Sequence, residues 1–552
     1  MAPANDILSN YSTLQKARLQ YETVLPAVLE RSFKISYGGP TTSAANSEDI
    51  AALFKSMYGQ PTAIVEPSES STLSSAPLKV GVVLSGGQAA GGHNVIAGIF
   101  DYLEKNVPGS TLYGFLGGPG GIMKGKYAVI TADFLYPYRN QGGFDIIRSG
   151  RDKIESDEQM KMAKSTVESL DLDGLVVIGG DDSNTNACVL AEYFKNEGLK
   201  TRVIGCPKTI DGDLKSKEVP VSFGFDTACK IFSELIGNVM IDSKSAAKYY
   251  HFVRLMGRAA SHVTLECALQ THPNITLVGE EVAAKKMTLK EVKDYVLDVV
   301  VKRAAAGRNY GVVLIPEGLI DFVPEISVLI AELNDILAKT TVDKEGEWKK
   351  DLTAASRSVF DILPPTIQEQ LLLERDPHGN VQVSKIEMEK MLMEMVAADL
   401  KVKKAEGTFK GSFNCQNHFF GYEGRCGLPS NFDANYTYAL GYTAGALLQS
   451  GLTGYMASVN NLTAPTKEWT AGGTPLTSLM QVERRKGKNK PVIRKALVEL
   501  DGAPFTAFAA VRDDWAINDR FRNPGPIQFE GPAANESNFT LLLEQGVLSA
   551  IN

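Results

Sequence analysis

Cysteine is scarce in this chain, and its placement points to no cysteine chemistry. The six cysteines (Cys188, Cys206, Cys229, Cys267, Cys415 and Cys426) are spread over 552 residues without one CxxC pair. A disulfide framework and a zinc site both lack the ligand spacing they need, and reduced thiols in a cytosolic protein are the expected state. No apolar run approaches the roughly 20 residues of a membrane span. The N-terminus, MAPANDILSNYSTLQKARLQYE, lacks the basic-then-apolar order of a secretory signal. A soluble, cytoplasmic protein with no membrane partner is therefore expected. An excess of basic charge is missing too. The formal net charge is −7, opposite in sign to a nucleic-acid footprint, so no nucleic-acid partner is expected. Small anionic substrates stay open, because they respond to local charge.

What is present is a globular composition, 44% hydrophobic and 22% charged, on a chain too long for one core. Residues 7–33 place Leu8, Tyr11, Leu14, Tyr21 and Leu25 partly at helical spacing, which predicts an amphipathic helix. The Ser/Pro-rich stretch 66–77 reads as an exposed connector. From Val80 to about Gly318, apolar runs such as KVGVVLSG, LYGFLG, DGLVVIGG, RVIGCP, YYHFVRLMG, NITLVG and NYGVVLIPEG alternate with helical stretches. Near-continuous Val/Ile/Leu runs are strands buried on both faces, and the alternation predicts parallel α/β sheets. Residues 323–410 read as a helical insertion: Ser384 and Glu387 form a candidate capping box, and Met388, Met391, Leu392 and Met395 form a stripe expected to pack in a core.

The polar motifs all follow strands, where ligands of parallel sheets bind. VVIGGDDSNTNA turns at Gly179 and Gly180, and Asn184 to Ala191 read as the first turns of a helix, an anion-binding arrangement. Asp181 and Asp182 at its mouth should repel a phosphate. VVLSGGQAAGGHN, with Gly86 and Gly87, is a candidate phosphate cradle without the GxGxxG or GK[ST] pattern. GPGGIMKGKY imitates a P-loop, but Tyr127 stands where a magnesium-binding hydroxyl is required. IGCPKTIDGD offers Lys208, Thr209, Asp211 and Asp213, a cation for phosphate beside candidate proton acceptors. Met256-Gly257-Arg258, Glu317, and Tyr422, Glu423, Gly424 and Arg425 end or follow later strands. Each alone is an ordinary turn or solvated strand end; together they supply cations for a phosphate and carboxylates for hydroxyls.

In this order, GGDDS, PKTIDGD, MGR, PEG and YEGR resemble the phosphofructokinase family, most closely its long pyrophosphate-dependent members, over roughly 80–320 and 411–446. The resemblance implies two Rossmann-like parallel-sheet α/β domains with an added, mainly helical insertion. The expected boundaries are a helical extension and linker at 1–78, a donor-binding domain at 79–245 and a sugar-phosphate domain at 246–322 and 411–465. The insertion at 323–410 and a C-terminal segment at 466–552 packing back on the core complete the division.

The resemblance also implies the residue roles. Asp211 is the general base for the 1-hydroxyl of fructose 6-phosphate, with Thr209 and Ile210 lining the sugar site. Asp181 holds Mg²⁺, and Gly86 and Gly87 form the donor loop, with Arg148 or Arg151 nearby. Met256, Gly257, Arg258, Glu317, Tyr422, Glu423, Gly424 and Arg425 bind the sugar phosphate. Lys248 and Tyr249 match a pair that reaches in from a neighbouring subunit, which implies a homodimer or higher homo-oligomer with shared sites. ATP-dependent members carry glycine where Asp182 and Lys208 stand. A carboxylate at 182 would repel the α-phosphate of ATP, and Lys208 would stabilise the transferring phosphoryl group. Pyrophosphate, phosphate, fructose 6-phosphate and fructose 1,6-bisphosphate are thus the implied ligands, in glycolysis and gluconeogenesis. An ATP-dependent enzyme, a non-catalytic regulatory paralogue, and a lipid or NAD kinase are the weighed alternatives; the last lacks the downstream motifs.

Overall fold

A computed structural model describes residues 4–70, 73–337, 346–373, 381, 385–485 and 488–551. Its strands, in chain order, are β1 (Phe33–Pro40), β2 (Pro61–Pro67), β3 (Lys79–Ser85), β4 (Thr111–Phe115), β5 (Tyr127–Ile130), β6 (Ser149–Gly150), β7 (Gly174–Gly179) and β8 (Arg202–Pro207). They continue with β9 (Tyr250–Leu255), β10 (Ile275–Thr276), β11 (Gly311–Pro316), β12 (Cys415–Phe420), β13 (Tyr455–Asn460), β14 (Thr470–Pro475), β15 (Met480–Arg485) and β16 (Lys488–Ile493). The chain divides into two compact units.

The first unit comprises Met1–Ala228, Tyr422–Ala496 and Ile527–Ser537. Its sheet runs β1-β2-β14-β13-β8-β7-β3-β4-β5, with β6 beside β3. The strands β13, β8, β7, β3 and β4 pair in parallel. All of β7 and all but the first residue of β3 are buried, as expected for sheets covered on both faces. The flanks are antiparallel: β4 pairs with β5, and β13, β14, β2 and β1 continue the opposite edge.

Three expectations change here. In place of one helix over 7–33 there are two short α-helices, Ala4–Ser9 and Thr13–Leu19, and a 3-10 helix at Ala27–Leu29; Ser12 and Gln15 make a capping box that restarts the chain. Residues 1–78 are also more than an extension, since they supply β1 and β2. In β2, Ala63 and Val65 are buried while Ile64 is exposed, the period-two signature of a strand. Residues 422–465, expected with the sugar-phosphate domain, fall in the first unit, because β13 pairs with β8.

The second unit comprises Cys229–Gly421, Leu497–Pro526 and Asn538–Asn552. The C-terminal stretch is therefore shared out between the units rather than forming one segment. The second unit's sheet is parallel throughout, in the order β10-β11-β9-β12. The insertion is helical, with α-helices Pro324–Leu337, Ala354–Ile362, Pro365–Leu373 and Met388–Ala405. Met388, Met391 and Leu392 are buried in the apolar core with Val292, Val296 and Ile315, and Met395 packs against it. Ser384 of the expected capping box lies outside the described residues; Glu387 pairs with Lys390 and accepts from Gln370. A buried ion pair of 2.7 Å joins Glu389 of the insertion to Arg254 of β9. Removing one partner of such a pair would strand a buried charge.

Candidate active site

In the first unit, register brings three strand ends together. Leu84 of β3 is level with Ile178 of β7, and Ile178 with Cys206 of β8. The loops that follow therefore open at one edge of the sheet. After β3, Gly86 has φ +87°, a conformation that disfavours side chains. Its N–H donates to the Gly150 carbonyl at 2.8 Å, so Arg148 and Arg151 flank a strand, β6, that lies against this loop. A β-carbon on Gly86 would sit 3.3 Å from Lys208 Nζ, and one on Gly87 would sit 2.5 Å from Arg425 Nη2. Two cations thus rest on the glycine backbone. The P-loop imitation is also resolved. Tyr127 opens strand β5, so no helix N-terminus follows its Gly-Lys pair.

After β7, Gly180 caps a helix that runs Asp181–Asn196 and starts three residues before the expected Asn184. Asn184 is fully buried, and its amide donates to the carbonyls of Gly179 (2.6 Å), Gly180 (3.0 Å) and Cys206 (3.3 Å). It ties the turn after β7 to the end of β8. Ser183 Oγ donates to Ser85 Oγ at 2.8 Å, joining the same turn to β3. Asp181 and Asp182 fall in the helix's first turn, where the dipole favours carboxylates. Asp182 pairs with Lys153 at 3.2 Å. Asp181 lies 3.6 Å from Lys495 Nζ, which stands 3.8 Å from Asp213.

After β8, Lys208 is only 7% exposed, and its N–H donates to the Gly179 carbonyl at 2.9 Å. Burial pushes its ammonium down to about 8; Asp211 opposes that shift and Arg425 adds to it. Burial raises the Asp213 carboxyl; Lys495 opposes the rise and Asp181 reinforces it. The Asp211 N–H donates to Thr209 Oγ1 at 3.1 Å, and Ser222 Oγ donates to the Thr209 carbonyl at 3.0 Å, fixing this loop. Ile210 is buried. The short helix Tyr422–Arg425 adds Arg425, whose guanidinium donates to Gln88 Oε1 and lies 5.2 Å from the Tyr422 ring centroid. Tyr422 and Glu423 are exposed, and Gly424 is buried.

In the second unit, Met256, Gly257 and Arg258 follow β9, and Glu317 follows β11, its parallel neighbour. Glu317 is buried, and its carboxylate accepts from the Gly257 N–H at 3.0 Å. The Glu317 N–H donates to the Leu255 carbonyl at 2.9 Å, and the Met256 N–H to the Phe420 carbonyl at 3.0 Å. Arg258 is exposed, so its charge faces solvent from a braced turn. Lys248 and Tyr249, just before β9, are accessible, with Lys248 Nζ 5.2 Å from the Tyr249 ring centroid.

Among the expected residues, Gly86, Gly87, Asp181, Asp182, Lys208, Thr209, Ile210, Asp211, Tyr422, Glu423, Gly424 and Arg425 belong to the first unit. Lys248, Tyr249, Met256, Gly257, Arg258 and Glu317 belong to the second. Sequence reasoning missed Gln88, Lys153, Asn184 and Lys495. Asn184 carried a usable signal, as an asparagine in a glycine turn; Lys495 carried none, because its partners lie far away along the chain.

These features define a class, an α/β protein whose parallel strand ends gather cations, carboxylates and glycine backbone for phosphorylated ligands. The chain matches the phosphofructokinase family over residues 79–448 and belongs to that family. It is 67% identical over 538 residues to the pyrophosphate–fructose 6-phosphate 1-phosphotransferase subunit beta of Solanum tuberosum, covering 97% of this chain and 95% of that one. It is 50% identical over 544 residues to the pyrophosphate–fructose 6-phosphate 1-phosphotransferase of Porphyromonas gingivalis, covering 97% and 99%. In fold it is similar to the pyrophosphate-dependent phosphofructokinase structure from Marinobacter aquaeolei, with a TM-score of 0.51, 16% identity, and coverage of 83% and 96%.

Proposed function

We propose that this protein moves one phosphoryl group from inorganic pyrophosphate to the 1-hydroxyl of D-fructose 6-phosphate. The products are fructose 1,6-bisphosphate and phosphate, and the reaction runs both ways because an anhydride is exchanged for an ester and free phosphate. The reading rests most on one observation, the buried Lys208 ammonium lying against the Gly86 backbone, close to the helix that opens with Asp181 and Asp182. A phosphoryl group in flight carries spread negative charge, and a desolvated ammonium there stabilises it. Asp182 adds a second carboxylate where a nucleotide's further phosphate would be repelled.

Asp211 takes the proton from the attacking 1-hydroxyl, a role typically worth ~10²–10⁴ in rate. Thr209 orders its loop. Arg258 and Arg425 each offer a cation for a sugar phosphate, and the exposed Tyr422 offers a ring to the sugar. Glu317 braces the Gly257 turn that carries Arg258.

Magnesium fits the residues present. Asp181 and Asp213 are hard oxygen donors that flank one ammonium. Among the described residues, no group of three or more His, Cys, Asp or Glu could hold a metal. Magnesium takes one or two protein carboxylates and completes its shell with substrate phosphates and water. Asp181 would hold it, and it would supply charge neutralisation to the donor's oxygens.

We place the reaction in the cytoplasm; among the described residues, no helix is long and apolar enough to cross a membrane. Lys248 and Tyr249 are proposed to reach a neighbouring copy's site, making the protein a homo-oligomer. The test is the purified chain alone with fructose 6-phosphate, Mg²⁺ and each donor in turn. Turnover with pyrophosphate and none with ATP is expected, as is pyrophosphate formation from phosphate and fructose 1,6-bisphosphate. Turnover with ATP alone would reverse the donor assignment, and no turnover with either would make the chain a regulatory partner.

A further inference from the structure

The hairpin of β15 and β16 leads into a strap that delivers one side chain to the donor site. The Ile493 N–H donates to Thr185 Oγ1 at 3.1 Å, and Thr185 Oγ1 donates to the Asp181 carbonyl at 2.9 Å. Three residues on, the Ala496 N–H donates to the Asp213 carbonyl at 2.8 Å. The backbone on either side of Lys495 is thus pinned to the two segments that carry Asp181 and Asp213. Its ammonium reaches both carboxylates, at 3.6 and 3.8 Å. Asp213 is 6% exposed and Asp181 is partly buried, so their mutual repulsion is poorly screened by water.

We propose that Lys495 is a positioning residue of the donor site. Its ammonium spans Asp181 and Asp213, keeps the two carboxylates together and makes the bare protein a poor holder of divalent cations. This rests on the pyrophosphate-transfer reading above, which places Asp181 at the metal. A unit positive charge a few ångströms from both carboxylates repels an incoming dication and competes with it for the same oxygens. An anionic donor reverses that balance, because its oxygens attract the lysine and the metal alike. Divalent metal then enters together with pyrophosphate rather than ahead of it. Lys495 acts through Asp181 and Asp213, and the strap makes its position a property of the fold.

The experiment is a Mn²⁺ titration of the full-length protein, followed by electron paramagnetic resonance, without pyrophosphate or sugar. Lys495→Met is expected to bind Mn²⁺ at least about tenfold more tightly than the parent, as loss of a nearby unit charge should allow. Lys495→Arg keeps the charge and is expected to match the parent. If the methionine variant does not fold, Lys495→Gln gives the same comparison with a polar side chain. Unchanged or weaker Mn²⁺ binding in the neutral variants, or equal tightening in Lys495→Arg, overturns the proposal. The titration contains no phosphoryl donor, so it gives the same answer whether the enzyme uses pyrophosphate or ATP. A failed donor assay and a failed Lys495 role are therefore separate results.

Discussion

The guanidinium of Arg425 rests on the backbone of Gly87, so closely that a β-carbon there would lie 2.5 Å from Nη2. Gly87→Ala must therefore push Arg425 off the glycine loop after β3 and away from Gln88. A fall in kcat/KM of about tenfold, equivalent to ~1.4 kcal/mol, is expected. The melting temperature should stay close to the parent's. Steady-state kinetics beside a thermal melt checks this, and unchanged kinetics would show that Arg425 has no part in the site.

Asp182 occupies the second position of the helix Asp181–Asn196 and pairs with Lys153 across partly exposed surface. An exposed pair of this kind adds only ~0–1 kcal/mol to stability, so Asp182→Gly should leave the fold intact. Its expected effect is on the donor. Pyrophosphate turnover should drop and measurable ATP turnover should appear in the same preparation. If ATP turnover stays at zero, donor choice is set by other residues as well.

Lys208 titrates near 8 because burial disfavours its charged form. Above that pH the proposed donor site loses a cation, so kcat/KM should fall on an alkaline limb with its midpoint near 8. Lys208→Arg stays charged, and the limb should flatten, measured as a full pH profile of each variant. The stability sign is the reverse. Between about 8 and the ordinary lysine value of 10.5, the unfolded chain binds a proton that the folded chain does not. Lys208's contribution to stability therefore rises with pH through that window. An alkaline limb that persists unchanged in Lys208→Arg would assign it to another group.

Asn184 serves three buried carbonyls, those of Gly179, Gly180 and Cys206. Asn184→Ala leaves them without that donor and opens a small void, at an expected cost of ~1–3 kcal/mol. Urea denaturation measures it. A cost below about 0.5 kcal/mol would mean that water or backbone replaces the amide.

Much of the fold could be read from the chain because its signals are local. β3, β7, β8, β9 and β11 announce themselves as continuous Val/Ile/Leu runs, and burial on both faces requires that composition. The methionine stripe of the insertion packs in a core, as helical spacing implies. The edge strands were harder. β1 and β2 contain Gly, Pro, Lys and Glu, and they became strands only because β14 offered them an antiparallel edge. The helix expected over 7–33 failed for a local reason, the Ser12–Gln15 capping box, which was present in the sequence and unread.

The site divides along the same line. Glycine, lysine and aspartate at strand ends follow from residue type and spacing, since a phosphate site needs flexible backbone, cations and proton acceptors close together. Family membership of the chain was likewise carried by short ordered motifs. Tertiary structure alone decided that Asp181 and Asp182 begin a helix, that Arg425 lies on Gly87, and that Lys208 is buried enough to titrate near 8. It alone brought Lys495 between Asp181 and Asp213, through a strap whose Ile493 and Ala496 N–H groups donate to Thr185 Oγ1 and the Asp213 carbonyl. Residue type sets which charges exist. Their separation and their exposure to water, which set the strength and sign of what they do, arise only when distant segments pack.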